Sequence, residues 1–288
     1  MTATAPAWAE LFPDEDFQFR FGLRPGDAAA FFAPTSQHAE IVRERAHWLE
    51  SEPVRSSALL AEGDPLVVET TALAQQWNPL VAPENAAEPH AQLLALGKSW
   101  EPDFLLLRAG ESGSFRLVGA CVCFPSSWAL EEKVGRPIAE IHAPAPTLNA
   151  TLGAGIDQFL GRIRPGAVWA RANWGLSRSP ALNQHPSQNT PRLSPPLRVD
   201  EVWLRVENQI FFRLPQTGGL LFGIRIQNVP LAEVKQWPAA ARGLARALRT
   251  MPEEIALSAG SLRASLPIPY SVNNTAIARI RQSCTTPV

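Results

Sequence analysis

Cysteine is scarce in this chain: Cys121, Cys123 and Cys284 are the three among 288 residues. A C-x-C pair and a distant third residue have neither zinc-site spacing nor the even count of a disulfide framework, so a reducing, cytoplasmic setting is expected. Charge of one sign is also missing, with 26 Lys and Arg against 27 Asp and Glu. No basic run tracks a phosphate backbone or an anionic leaflet, which argues against nucleic acid and membrane surfaces as partners. No stretch approaches ~20 uninterrupted apolar residues, and the opening "MTATAPAWAELFPDED" has no basic n-region and no apolar h-region, so neither a span nor an export signal is expected. There is no internal repeat, no G-x-S-x-G elbow and no Gly-rich phosphate loop; the "GAG" at 153–155 falls within a helical pattern and opens no G-x-G-x-x-G.

What is abundant is proline, 27 residues, about twice the usual ~5% share. The prolines gather at 137–146 and 180–196, which implies short elements joined by stiff loops. Between them the periodicity alternates. "TSQHAEIVRERAHWLE" puts Ile41, Val42, Arg45, Trp48 and Leu49 on one stripe, a helix with Thr35 or Ser36 as its N-cap, and a second helix is expected over 66–77, followed by a loop at "NPLVAPENAAEP". "DFLLLRAGESGSFRLVGACVCFP" reads as two strands around a Gly-Glu-Ser-Gly turn, the second apolar on both faces and so central in a sheet. Leu148, Leu152, Ile156, Phe159, Leu160 and Ile163 predict a helix covering that sheet. Strands follow near 167–176, 201–215 and 219–229, the last two joined by a Pro-Gln-Thr-Gly turn, and then one or two helices interrupted at Pro238. This order predicts an α+β domain on an antiparallel sheet. One domain is expected over 17–270, between terminal tails at 1–16 and 271–288.

The strand near 201–215 is unusual by its faces. Leu204, Val206, Ile210, Phe212 and Leu214 share one, with Asn208 as the exception, while Arg205, Glu207, Gln209, Phe211 and Arg213 share the other. The polar row is either the solvated face of the sheet or the lining of a cavity whose arginines bind carboxylates. Arg225, alternating with Ile224 and Ile226 on the next strand, is expected to add a cation beside the same row. "WARANWG" contributes Arg171, Asn173 and Trp174, either as core tryptophans with a snorkelling arginine or as part of that lining.

Of five histidines, His38, His47, His90 and His185 lie on a helix face or in loops without an H-x-x-x-H or C-x-x-C partner. A multi-histidine metal site is thereby disfavoured, and a single-ligand cofactor such as heme is the metal option left. His142 differs from the rest. It ends a segment stiffened by Pro144 and Pro146, which hold Ala143 and Ala145 extended, a mount that suits either a hydrogen-bonded structural histidine or a ligand.

The blocks "CFPSSWALEEKVGRPIAEIHAPAPTLN", "RANWGL" and "LRVENQIFFRLPQTGGLLFGIRI" resemble, in order, those of the heme-dependent oxidative N-demethylase alpha-subunit family, formerly a domain of unknown function. The likeness spans roughly 17–252. It implies a PAS-like antiparallel sheet flanked by helices, holding heme b and using O2 to demethylate a small secondary alkylamine with release of formaldehyde. Electrons would come through FMN or FAD and a 2Fe-2S cluster on a separate reductase subunit. By position, His142 matches the family's histidine and is read as the axial iron ligand. Arg171, Asn173, Arg205, Arg213 and Arg225 are read as cofactor-binding, and Glu207 and Gln209 as catalytic. The family often reads "VERQTLRRLP" where this chain has "VENQIFFRLP", so Asn208 and Phe212 stand in place of arginines, and Ile210 and Phe211 in place of Thr and Leu. Two other functions compete: a PAS-like heme or ligand sensor without turnover, and a heme-free interaction module. An electron donor and a distal acid would mark the enzyme, a signalling partner the sensor.

Overall fold

The computed structural model describes residues 4–18, 22–78, 88–110, 113–141, 156–193 and 197–252. Seven strands form one antiparallel sheet in the order β1-β5-β6-β7-β3-β4-β2. They are β1 (Arg24–Pro25), β2 (Ser57–Leu59), β3 (Asp103–Ala109), β4 (Phe115–Cys121), β5 (Val168–Ser177), β6 (Trp203–Arg213) and β7 (Leu220–Pro230). The helices, in chain order, are α1 (Ala28–Phe32), α2 (His38–Ser51), α3 (Pro53–Ser56), α4 (Asp64–Trp77), α5 (Pro89–Ser99), α6 (Ile138–Ile141), α7 (156–162), α8 (Leu231–Val234) and α9 (Pro238–Thr250). Without its two short edge pieces the sheet runs β5-β6-β7-β3-β4, so that each hairpin stays together and the last strand returns beside the first. This is the α+β, PAS-like arrangement.

Both expected hairpins form. Leu106 lies opposite Gly119 and Arg108 opposite Arg116 in the first, with one register shift between Leu106 and Leu107. In the second, Trp203 faces Pro230 at one end and Arg213 faces Leu220 at the other. Its turn closes through Gly218 N–H to Leu214 O at 3.1 Å, with Gly218 at φ 66°, a backbone region that costs a side-chain-bearing residue energy. Glu69 of α4 fastens the same turn, accepting from Gln216 N–H at 2.7 Å and Thr217 N–H at 2.8 Å.

The apolar face of β6 is covered twice. Phe32, Leu49, Leu66, Leu93, Leu96 and Trp100 of the α1, α2, α4 and α5 layer pack with Phe104, Leu106, Ile210 and Phe212. At the other end Leu204, Val206 and Val229 meet Leu231, Val234 and Leu244 of α8 and α9. Trp8 and Phe12 belong to this second cluster and are 3% and 4% exposed. The segment read as an N-terminal tail is therefore partly packed, because its two aromatic residues bury large apolar area against α9.

Several expectations about helices change in detail. The N-cap of α2 is Gln37, with no side-chain cap; Thr35 instead accepts from Gln37 N–H and donates to Glu101. Helix α5 was not anticipated. It approaches β4 so closely that a Cβ on Gly97 would lie 2.2 Å from Cys121 Sγ. Beneath it Arg45 of α2 is fully buried, donating from Nε to Gly97 O at 2.8 Å and from Nη1 to Asp103. The chain does break at Pro238, where α9 starts after α8. Of the helix expected over 147–163, α7 is the part within the described residues, and its Ile156, Phe159 and Leu160 pack on the sheet as the periodicity requires.

Candidate functional site

The opposite face of the sheet is covered less completely. Leu105, Leu107, Phe115, Leu117, Ala120 and Leu220 are buried there under Leu130, Ile138, Leu160 and Ile163, while Trp169, Phe211, Phe222, Ile224 and Phe159 remain half-buried. Phe211 and Phe222 stack with ring centroids 4.6 Å apart, and Phe159 of α7 meets Phe211 edge-on at 5.8 Å. Trp169 lies opposite Phe211 on β5. These side chains form an aromatic platform that the described residues leave half-buried.

Polar groups flank the platform. Directly opposite pairs share a sheet face, so Arg171 stands with Gln209 and Asn173 with Glu207. Arg213 lies at the other end, two pleats beyond Gln209 on β6. The row predicted from sequence is thus assembled with Arg171 and Asn173. The expectation that Arg225 joins it is corrected by the register. Arg225 faces Asn208, not Gln209, so it leaves by the far face of the sheet. There it pairs with Glu101 and donates to Phe31 O and Ala33 O.

The same parity accounts for the missing cations. Asn208 sits opposite Arg225, and Phe212 is 6% exposed in the core under the helical layer. Neither position faces the polar row, so the two missing cations leave Glu207, Gln209 and Arg213 in place, while Phe211, the departure that shares their face, adds an aromatic ring to it.

The arginines on the site face differ in what they hold. Arg205 is 4% exposed. It donates from Nη2 to Phe124 O and Leu182 O, both at 2.9 Å, from Nη1 to Ala181 O at 3.3 Å and Asn228 Oδ1 at 3.4 Å, and from Nε to Ser126 Oγ at 2.8 Å. Burial pulls its pKa down to about 10, with Glu207 and Asp103 opposing the shift. Arg171 Nε and Arg213 Nε and Nη1 are buried atoms with no hydrogen-bond partner among the described residues. Burial lowers the pKa of both, offset at Arg171 by the nearby Glu207 charge. Arg213 also lies over the Phe115 ring, 5.2 Å from its centroid. Buried donors left unpaired cost about 1–3 kcal/mol each, so these two guanidiniums fit an acceptor supplied from outside the described residues.

Glu207 is fixed by two donors, Ser126 Oγ–H at 2.6 Å on Oε1 and Gln209 Nε2–H at 3.0 Å on Oε2. Ser126 was not anticipated as a site residue. It sits in an irregular loop beyond β4, and only the Pro-Ser-Ser sequence before Trp128 hints at a turn there. The loop is held from both sides. Asp103 accepts from Cys123 N–H at 2.8 Å and Phe124 N–H at 2.9 Å, and Ser127 N–H donates to Gln184 O at 3.0 Å.

His142 lies outside the described residues. Ile141 and Ile156, the nearest described residues on either side of it, both pack against the platform face. His185 is 5% exposed, with Nδ1 2.8 Å from Ser187 Oγ and Nε2 3.2 Å from Glu131. Among the described residues no group of three or more His, Cys, Asp or Glu could hold a metal ion, and no helix is long and apolar enough to cross a membrane.

Comparison with known proteins bears on this geometry. Residues 59–259 match the family described as "Haem-dependent oxidative N-demethylase, alpha subunit-like". The chain belongs to this family. The match takes in the whole platform face, from β3 through α9, together with Ser126 and both unpaired arginines. The family's description names haem, and the aromatic platform with the two arginines can be tested for fit to that group. A porphyrin offers an apolar ring to stack and carboxylates to accept hydrogen bonds, and the donor set fits both.

Proposed function

We propose that this chain is the heme-bearing subunit of an oxygenase that demethylates a small secondary alkylamine, releasing formaldehyde. The observation that carries the reading is the pairing of orphaned guanidinium donors on Arg171 and Arg213 with the half-buried Phe211–Phe222 stack on one sheet face. The aromatic platform would hold heme b, with Arg171 and Arg213 as donors to its carboxylates and His142, by its match to the family block, as the iron ligand. Bound there, heme supplies the iron at which O2 is activated; the protein's part is to bind, orient and exclude water.

Arg205 and Arg225, whose donors already meet protein acceptors, serve the frame around the site rather than the cofactor. Asn173, exposed beside Glu207, is left with a polar contact to ligand or solvent. Glu207 keeps free lone pairs on both carboxylate oxygens after accepting from Ser126 and Gln209. An ammonium substrate finds its counter-charge there, and the same oxygens can hold a proton in transit. Gln209 orients Glu207. Electrons arrive from a reductase subunit carrying FMN or FAD and a 2Fe-2S cluster, in the reducing cytoplasm that suits two free, buried cysteines, Cys121 and Cys123.

The test is a hemin titration followed by turnover. The parent chain is expected to bind one hemin with a Soret band, and His142→Ala to lose stoichiometric binding. With a reductase, Glu207→Gln is expected to keep heme and to lower formaldehyde release at least about tenfold. A parent chain that binds no hemin, or a Glu207→Gln variant with undiminished turnover, overturns the assignment.

A further inference from the structure

The hydrogen bonds that link Arg205, Ser126 and Glu207 run in one direction. Arg205 Nε–H donates to Ser126 Oγ at 2.8 Å, and a guanidinium has no acceptor to offer in return. The serine proton must therefore point elsewhere, and Glu207 Oε1 lies 2.6 Å away. Arg205 has no freedom to turn aside, because its remaining donors are engaged by Phe124 O, Leu182 O, Ala181 O and Asn228 Oδ1. The result is a one-way chain, Arg205 to Ser126 to Glu207, in which a buried cation polarises a hydroxyl toward a carboxylate.

The backbone around Ser126 has a matching signature. Ser127 is one of two non-glycine residues with positive φ among the described residues, at 60°, a conformation that costs serine energy and persists where surrounding contacts impose it. Those contacts are on both sides: Ser127 N–H donates to Gln184 O at 3.0 Å and Gln184 N–H to Pro125 O at 3.1 Å. The strain is absorbed at the residue after the one whose hydroxyl meets Glu207.

We infer that Ser126 is a positioning residue that fixes the Glu207 carboxylate in a single orientation, with its free lone pairs turned toward the platform, and so favours cationic amines over neutral molecules of the same size. The second half of this inference rests on the reading of Glu207 as the ammonium partner. The first half does not. On β6 the carboxylate stands between Arg205 and Gln209, and without the Ser126 donor one oxygen would be free to swing toward Arg171, whose Nε lacks a partner.

The experiment separates the halves. In the full chain labelled with 13C at glutamate carboxyls, the Glu207 signal is identified by its loss in Glu207→Gln. It is expected to move in Ser126→Ala and to return in Ser126→Thr, which retains the hydroxyl. Should Ser126→Ala fold poorly, Ser126→Cys keeps the size while weakening the donor, and the same displacement is expected. An unmoved Glu207 signal in a folded Ser126→Ala or Ser126→Cys protein overturns the positioning role. In heme-loaded protein, the ratio of affinity for dimethylammonium to that for dimethyl ether is expected to fall about tenfold in Ser126→Ala, as for loss of one well-aligned charge-assisted contact. An unchanged ratio in Ser126→Ala together with a collapsed ratio in Glu207→Gln overturns the selectivity role of Ser126. An unchanged ratio in Glu207→Gln itself overturns the ammonium reading and leaves the Ser126–Glu207 contact standing on the carboxyl signal.

Discussion

Arg45 on α2 reaches through the helical layer to Asp103 at the start of β3, and the same carboxylate accepts from the backbone N–H groups of Cys123 and Phe124. A buried ion pair thereby fixes the chain just beyond β4, at Cys123 and Phe124, three and two residues before Ser126. The core beneath the helices and the polar end of the site on the opposite sheet face are linked through this carboxylate. Asp103 holds Phe124 N–H, and Phe124 O receives Arg205.

Breaking that pair from one side leaves a buried charge without compensation. Arg45→Met is expected to cost about 3–5 kcal/mol of stability, read from denaturant unfolding. Faster amide exchange at Cys123 and Phe124 should accompany it, since their shared acceptor would lose its anchor. A variant that unfolds at the parent's midpoint would show the pair to be worth little.

Arg205 and Arg171 share a sheet face but should respond oppositely in the heme-free chain. Arg205→Ala strands Phe124 O, Leu182 O and Ser126 Oγ without that donor, and a loss of about 2–4 kcal/mol follows from unsatisfied buried acceptors. Arg171→Met removes an orphaned donor and should leave the heme-free melting temperature equal or higher. In the hemin titration the order reverses for Arg171. Losing a charge-assisted bond worth about 1.5–3 kcal/mol weakens affinity roughly 10- to 100-fold.

Acid sensitivity should pass through Glu101. Burial on its own would raise its pKa, but Thr35 N–H, the Arg225 cation, the Thr35 hydroxyl and His38 outweigh burial and hold it below the ordinary 4.5. A depressed folded-state pKa contributes stability that is complete above the unfolded value and is lost as pH falls through the folded one. The melting temperature is thus expected to drop on acidification below about 4.5, and to drop less in Glu101→Gln. Equal acid slopes in the two proteins would remove Glu101 from the account.

Much of this architecture was legible because two periodicities carry it. The hairpins declared themselves by alternation around Gly-containing turns, and α2 by its stripe, Arg45 included. Helix α5 escaped notice because "PHAQLLALGKS" follows a proline-rich stretch and contains Gly97, and strands of two or three residues such as β1 and β2 show no period at all. At the site, period two correctly put Arg205, Glu207, Gln209 and Arg213 together. It could not give the register across the β6–β7 turn, where a one-residue offset sends Arg225 to the other face. Nor does a sequence reveal which arginines find acceptors within the chain, because Leu182 and Phe124 lie 23 and 81 residues from Arg205.

Phe211 and Phe212 offer the sharpest use of that parity, being adjacent in sequence and on opposite faces of β6. Phe212 is 6% exposed, packed in the helical layer's core and 5.6 Å from Trp77. Phe212→Ala is expected to cost about 3–5 kcal/mol through lost transfer energy and the cavity left behind. Phe211 is half-buried, stacked on Phe222, with its free surface on the platform. Its truncation should cost the heme-free chain markedly less, because part of the ring is in water already. Hemin affinity should show the reverse, falling strongly in Phe211→Ala and little in Phe212→Ala once the latter is measured under conditions where it is folded. Equal stability losses at the two positions, with hemin binding untouched by Phe211→Ala, would mean that the platform is ordinary core and that the cofactor lies elsewhere.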